Sequence, residues 1–197
     1  MNFFAFFTYV LVTTFTPGPN NMMAMANGLH DGFRKTLRFL VGVFWGFFFV
    51  MLLCGYLNFA LVSTLPKAKF WLNLLGTGYM IYLGIHIALA KQGGQNEIER
   101  PLNTFRAGIF LQFLNLKLIL YGITVFSNFI IPFHQDIPSL TLYTVILAVI
   151  GFIATSCWAA FGVIFRALFS KYSTIINISL GLLLIYSAIA GFLSAGH

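Results

Sequence analysis

Thr16-Pro17-Gly18-Pro19-Asn20-Asn21 interrupts a stretch, residues 2–29, that carries no charged side chain. An uncharged run in lipid is expected to form one continuous helix, because every backbone N–H and C=O must be paired internally. Two prolines and a glycine within three residues prevent that. Each proline lacks an N–H, and its ring clashes with the carbonyl four residues back. The carbonyls of Thr13 and Phe15 therefore lose their helical partners. At membrane depth a broken backbone is tolerated only where it is buried in protein or lines a polar cavity. The stretch marks either a kink that shapes packing or a site, and the two asparagines that follow it favour the site.

Composition sets the setting. Of 197 residues, 59% are hydrophobic and 8% charged, with a mean hydropathy of +0.91. A soluble domain carries about 25% charged residues. The chain thus reads as an all-α, polytopic membrane protein with one transmembrane domain, 1–197, and no room for a separate soluble unit. The N-terminus, Met1-Asn2-Phe3-Phe4, lacks the basic region and cleavage site of a signal peptide. The net charge of +7 lies in short loops between apolar runs, which argues against a nucleic-acid partner. Cys54 and Cys157 sit inside apolar runs and read as buried free thiols. The four histidines are scattered without metal-ligand spacing, so no cofactor is expected.

Charges divide the sequence into six apolar runs, each long enough for a bilayer span of about 20 residues. The first holds the break and ends near Gly28. The others cover roughly 39–65, 70–90, 107–131, 139–165 and 174–193. Loops one, three and five hold Arg34, Lys35, Arg38, Lys91, Arg100, Arg106, Arg166 and Lys171, whereas the opposite side holds only Lys67 and Lys69. The positive-inside rule then puts the odd loops in the cytoplasm and both termini outside it. Asn73, Ile81, Tyr82 and Ile85 recur as Asn177, Ile185, Tyr186 and Ile189, at a constant offset of 104. This suggests a 3+3 inverted repeat, a common transporter plan. Its halves are approximately 1–92 and 104–197, with a linker at 91–106.

A repeat partner of the first span should hold its own anomaly, and the fourth span holds Gln112, Asn115 and Lys117. Lys117 is the one formal charge inside any of the six runs. Pro17–Asn21 lies about seven to eleven residues from the cytoplasmic end of its span, and Asn115 and Lys117 about eight to ten. At about 1.5 Å per residue the two features share a level. A lysine at that depth costs about 2.5–3.5 kcal/mol and needs acceptors. The broken helix provides them: orphan carbonyls at the end of its first half, free N–H groups where its second half starts near Asn20. The two polarities suit a zwitterion. Lys117 then serves either transport or a structural tie to the broken helix. No Asp or Glu lies in the spans, which leaves Lys117 as the buried ionisable candidate for proton coupling.

Other features weigh less. Gly42-x-x-x-Gly46 permits close helix contact, within the chain or across a homodimer. Thr16, Tyr82, Tyr121 and Tyr186 are pathway candidates. Tyr82 and Tyr186, matched in the repeat, also suit core packing. His86 reads as interfacial, as do Trp71, Tyr143 and Tyr172. Phe44 with Phe47-Phe48-Phe49 reads as a lipid or core surface without chemistry. A membrane enzyme is disfavoured, because the spans lack a Ser/His/Asp set, paired carboxylates or a histidine cluster. A purely structural interaction protein would leave the break and Lys117 without purpose.

The break at Thr16–Asn21, six spans in a short chain and Phe113-Leu114-Asn115-Leu116-Lys117 resemble the LysE/RhtB family of amino-acid exporters over nearly the whole length. The resemblance implies a multi-pass protein of the bacterial inner membrane. It implies export of small neutral amino acids and derivatives, such as cysteine and O-acetylserine, from the cytoplasm by proton antiport. Export of homoserine or threonine, or a passive small-solute channel, are the alternatives. The substrate is expected on Pro17, Gly18, Pro19, Asn20, Asn21, Gln112, Asn115 and Lys117. One position departs from the family, which typically has Asn-Pro-Lys in the fourth span. With Leu116 in place of that proline, the fourth helix is expected to be less broken than the first.

Overall fold

The computed structural model describes residues 2–58 and 103–169 (side chains to 165). Within 71–89 and 175–189 it describes 71, 74, 75, 77–79, 81–89, 175, 178–186 and 189. The bases Lys67, Lys69, Lys91, Arg100 and Lys171, the repeat asparagines Asn73 and Asn177, and Tyr172 lie outside the described residues, as does the Arg166 side chain. The described residues form helices and turns, with no strand among them.

Helix α1, Phe3–Phe15, starts where Asn2 Oδ1 accepts from the Ala5 N–H at 3.1 Å and stops before the prolines. Helix α2, Pro19–Asp31, begins with Gly18 as N-cap and Pro19 in its first turn. Proline is tolerated there because the first N–H groups of a helix have no internal partner anyway. Gly32, with φ 79°, makes the turn into α3, Phe33–Tyr56. Residues 81–88 form α4 and residues 178–186 form α8. Helix α5, Phe105–Leu114, is capped by Thr104, whose Oγ1 accepts from the Ala107 N–H. Helix α6, Leu116–Val125, continues through a wider turn at Phe126–Ile130. Helix α7, Ile137–Phe169, completes the set. Asp136 caps α7 by accepting from the Ser139 N–H at 2.9 Å. That bond holds the Asp136 carboxyl below its ordinary pKa. The cap is therefore in force at neutral pH and is lost as pH falls through the lowered value.

Helix α3 and residues Ile137–Phe165 of α7 are each long and apolar enough to cross a membrane. Helices α5 and α6 pass the same test as one broken span, bent by 65°. Leu37, Val41, Trp45, Phe49 and Leu53 are all exposed on α3 at intervals of one turn. Such a stripe is stable against hydrocarbon and not against water.

The fourth run is interrupted over one residue, Asn115, where the first is interrupted over three, Thr16–Gly18. The helix breaks at Asn115 without a proline. Asn115 is extended (φ −85°, ψ 90°), and its Oδ1 accepts from the Leu118 N–H at 3.2 Å. Its side chain replaces a main-chain acceptor, so it ends one helix and caps the next. Leu116 occupies the first position of α6, the slot where the family's proline would fit.

Two apolar cores flank the breaks. One gathers Phe6 and Val10 of α1, Phe47, Val50 and Met51 of α3, and Leu118, Tyr121 and Val125 of α6. The other gathers Met22, Met23 and Leu29 of α2, Phe39 and Leu40 of α3, Leu111 of α5, and Leu83 and Leu184 of α4 and α8. Helix α2 runs along α7, and α5 along α3. These two contacts are backbone on backbone. A methyl group on Gly28 would run into the Ala159 carbonyl, and one on Gly162 into that of Met25. On the other pair, Gly42 faces the Phe105 carbonyl and Gly108 that of Phe39. Gly46 lies against Ile109 and Gln112. The Gly42-x-x-x-Gly46 pattern therefore serves packing within the chain.

Gly42→Ala is expected to destabilise the protein by about 1–3 kcal/mol through overpacking. Gly78, which has no atom within 4 Å of an added methyl group, is the control. Gly78→Ala should be neutral or stabilising by up to about 1 kcal/mol. Thermal unfolding in detergent reads both.

Candidate functional site

The break between α1 and α2 leaves a row of carbonyls to be paired, and side chains from α2, α6 and α7 meet them. Asn21 Nδ2 donates to the carbonyls of Thr14 (2.8 Å) and Thr16 (3.0 Å). The Trp158 indole N–H of α7 donates to the Phe15 carbonyl at 3.2 Å. Lys117 Nζ of α6 donates to the carbonyls of Thr16 (3.2 Å) and Pro17 (3.3 Å). The Thr16 hydroxyl turns back to the Val12 carbonyl of its own helix. The ammonium thus sits at the C-terminal, negative end of α1. Of the two carbonyls expected to be orphaned, that of Phe15 is taken by Trp158, and Lys117 uses the next two along the chain.

A second network joins the two breaks. Asn20 and Gln112 exchange both amide hydrogen bonds, Nδ2 to Oε1 at 2.7 Å and Nε2 to Oδ1 at 3.1 Å. Gln112 is fully buried and also donates to the Gly108 carbonyl. Asn115 Nδ2 reaches Asn20 Oδ1 at 3.4 Å. Asn20 is thereby fixed by two residues of the other broken span. Each amide is oriented by its partners, which is how a buried polar cluster avoids unsatisfied groups.

Beside these networks lies a small open cavity of about 40 Å³. Gly18, Pro19, Asn20 and Asn21 form one wall, with Asn115, Lys117, Leu118 and Tyr121 opposite. Thr13 and Thr14 of α1, Phe47 of α3, and Gly151 and Thr155 of α7 complete it. Lys117 approaches Gly18 so closely that a methyl group there would stand 3.1 Å from Nζ. No side chain caps the first N–H groups of α2 at Gly18. The cavity therefore presents an ammonium beside the start of α2, hydroxyl-bearing residues nearby, and apolar walls from Phe47 and Leu118.

Most residues expected at the site meet here. Gly18, Pro19, Asn20, Asn21, Asn115, Lys117 and Tyr121 line the cavity. Thr16 and Pro17 contribute carbonyls to Lys117 and Gln112 an amide to Asn20, from just behind the wall. Tyr82 and Tyr186 do not line it. Tyr82 is 44% exposed, stacks on Tyr79 and makes a tilted contact with His86, and Tyr186 is 71% exposed. Both project from the outer faces of their helices, where matched positions in sequence say nothing about direction.

Phe47, Gly151, Thr155 and Trp158 were missed. The first was read as lipid or core surface without chemistry; it is in the core, 5% exposed, and also lines the cavity. The Thr155 hydroxyl donates to the Gly151 carbonyl at 2.8 Å and lies 3.5 Å from Asn21 Oδ1. A threonine and a tryptophan in a long helix carry no periodic signal that separates a site from packing. Tyr143, near the start of α7, packs its ring against Phe6 and His134.

The cavity is thus bounded by two interrupted helices and carries a lysine on its wall. The chain belongs to the LysE type translocator family, whose model matches residues 11–194. It is a transporter and not an enzyme. Among its relatives are the cysteine/O-acetylserine efflux proteins of Escherichia coli K12 and Shigella sonnei Ss046. Each is 40% identical over 188 residues, covering 95% of this chain and 96% of the relative. No solved structure matches the chain.

Asn115→Ala removes the cap of α6 and is expected to cost about 1 kcal/mol. Leu116→Pro should leave stability within about 0.5 kcal/mol, because that slot needs no N–H. Thermal unfolding of the two variants in detergent checks the contrast. A large loss in Leu116→Pro would contradict the capping account.

Proposed function

We propose that the protein exports cysteine, O-acetylserine and similar small neutral amino acids from the cytoplasm, by proton antiport. The observation that carries this reading is the Lys117 ammonium lining the cavity while bound to the Thr16 and Pro17 carbonyls. An ammonium has three donors, and two are used. The third, with the N–H groups at the start of α2, receives the substrate carboxylate. The substrate ammonium goes to the Thr13 carbonyl, whose helical partner would have been Pro17. Asn20, Gln112 and Asn115 hold the two broken spans in register around this point, and Asn21 holds the broken end of α1. The names of the efflux relatives support the choice of substrates.

In this reading the six runs are six spans arranged as two inverted halves, approximately 1–92 and 104–197. Spans one and four are the broken ones, loops one, three and five are cytoplasmic, and both termini are outside. The protein is then a multi-pass protein of the bacterial inner membrane. The tight contacts of α2 with α7 and of α5 with α3 lie on its cytoplasmic side. Asn103 Nδ2 donates to Asp31 Oδ2 at 2.6 Å on that side, tying the end of α2 to the start of α5. A homodimer would use a face other than Gly42 and Gly46, which are occupied within the chain.

Purified protein in liposomes loaded with labelled cysteine or O-acetylserine should release them, faster under an inward proton gradient. Lys117→Ala should reduce release at least about tenfold, the loss expected when a hydrogen bond to a charged group is removed from a site (about 1.5–3 kcal/mol). Release that ignores both the gradient and the substitution would contradict the antiport site.

A further inference from the structure

We propose that Tyr121 determines which side chains the site accepts, by donating its hydroxyl hydrogen to an acceptor atom on the substrate's side chain. This rests on the export reading above and adds to it a preferred substrate class: amino acids with a short side chain ending in an oxygen acceptor. Four observations lead to it. Tyr121 lines the cavity and is 5% exposed. Its hydroxyl makes no well-formed hydrogen bond among the described residues and faces the Thr14 side chain. Its ring is held by a stacked contact with Tyr9 at 6.0 Å and a tilted one with Phe47 at 6.3 Å, so the hydroxyl cannot easily swing out to find one. It stands one turn after Lys117 on α6, and residues four apart share a helix face.

Neighbouring hydroxyls direct their own hydrogens elsewhere, though the Thr14 oxygen can still accept. The Thr14 hydroxyl donates to the Val10 carbonyl at 2.6 Å, and Thr155 to Gly151. Asn21 holds the carbonyls of Thr14 and Thr16. A buried hydroxyl left unpaired is unfavourable for folding, and such groups are rare in native proteins without a functional reason. A substrate whose carboxylate meets Lys117 extends its side chain along the α6 face toward Tyr121. The rise over those four residues is about 6 Å, comparable to the reach of a short acylated side chain. Phe47 and Leu118 line the way and suit its apolar part. An ester carbonyl is a good acceptor, a thiol a weak one, and an alkyl group none. Sites that hydrogen-bond a substrate group discriminate strongly against analogues that lack it.

The test measures efflux of O-acetylserine, cysteine and 2-aminobutyrate from liposomes containing the full-length protein, wild type or Tyr121→Phe. Phenylalanine keeps the ring contacts, and ratios between substrates are independent of how much protein is folded. Wild type should prefer O-acetylserine, then cysteine, then 2-aminobutyrate. In Tyr121→Phe the ratio of O-acetylserine to 2-aminobutyrate efflux should fall about five- to tenfold, as for loss of one neutral hydrogen bond, with cysteine intermediate. Unchanged ratios, or an equal fall for all three, would overturn the role of Tyr121 while leaving export intact. If the wild type exports none of the three, the export reading fails and this inference fails with it.

Discussion

Four consecutive carbonyls, from Thr14 to Pro17, govern the centre of this protein. Pro17 and Pro19 end the helix here, so these carbonyls have no donor in a continuing helix, and hydrocarbon provides no water to replace one. Asn21, Trp158 and Lys117 meet them from α2, α7 and α6. Each of these side chains crosses between segments to do so, and the break thereby ties the fold together. The same arrangement accounts for a lysine at membrane depth. Its charge meets the negative end of α1 and two carbonyl dipoles, so the large desolvation cost is offset where the lysine is also useful to an anionic group.

The two breaks are made by different chemistry and reach the same result. In the first span, Pro17-Gly18-Pro19 removes donors and forces the chain to restart. In the second, Asn115 turns extended and caps the new helix with its own side chain. Asn20, Gln112 and Asn115 then bind one break to the other across the molecule. The two apolar cores on either side are packed unlike each other. Around α2 and α5, glycines bring backbone against backbone, a contact with no slack. Around α1 and α6, the corresponding glycines face side chains: Gly55 meets the Phe126 ring, Gly122 meets Met51 and Cys54, and Gly151 meets the Phe47 ring. Side chains change rotamer far more readily than packed backbones separate. Motion that admits or releases a ligand is therefore easier on the α1 and α6 side in this conformation.

Much of the site was legible in the sequence because polar residues stand out in apolar runs. The Pro-Gly-Pro break, its asparagines, Gln112, Asn115 and Lys117 were conspicuous, and their common depth followed from counting residues. Phe47, Thr155 and Trp158 were hidden, because aromatic and hydroxyl residues are ordinary constituents of membrane helices. What distinguishes them is a partner far away in sequence, 143 positions for Trp158 and Phe15, which no local period encodes. The second break is the shorter of the two, as the missing proline suggested, and a single asparagine cap with its φ and ψ displaced suffices to make it. Tyr82 and Tyr186 show the opposite failure, since a matched position does not fix which way a side chain points.

The central claim is that the substrate sits between the two breaks, against Lys117. Photo-crosslinking tests it directly. A small exported amino acid carrying a diazirine is irradiated with the full-length protein in liposomes, and the labelled peptides are mapped by mass spectrometry. The account predicts label on residues 13–21 and 115–121, diminished by excess unlabelled substrate. Competable label confined to the α4 and α8 region, with none at either break, would contradict it.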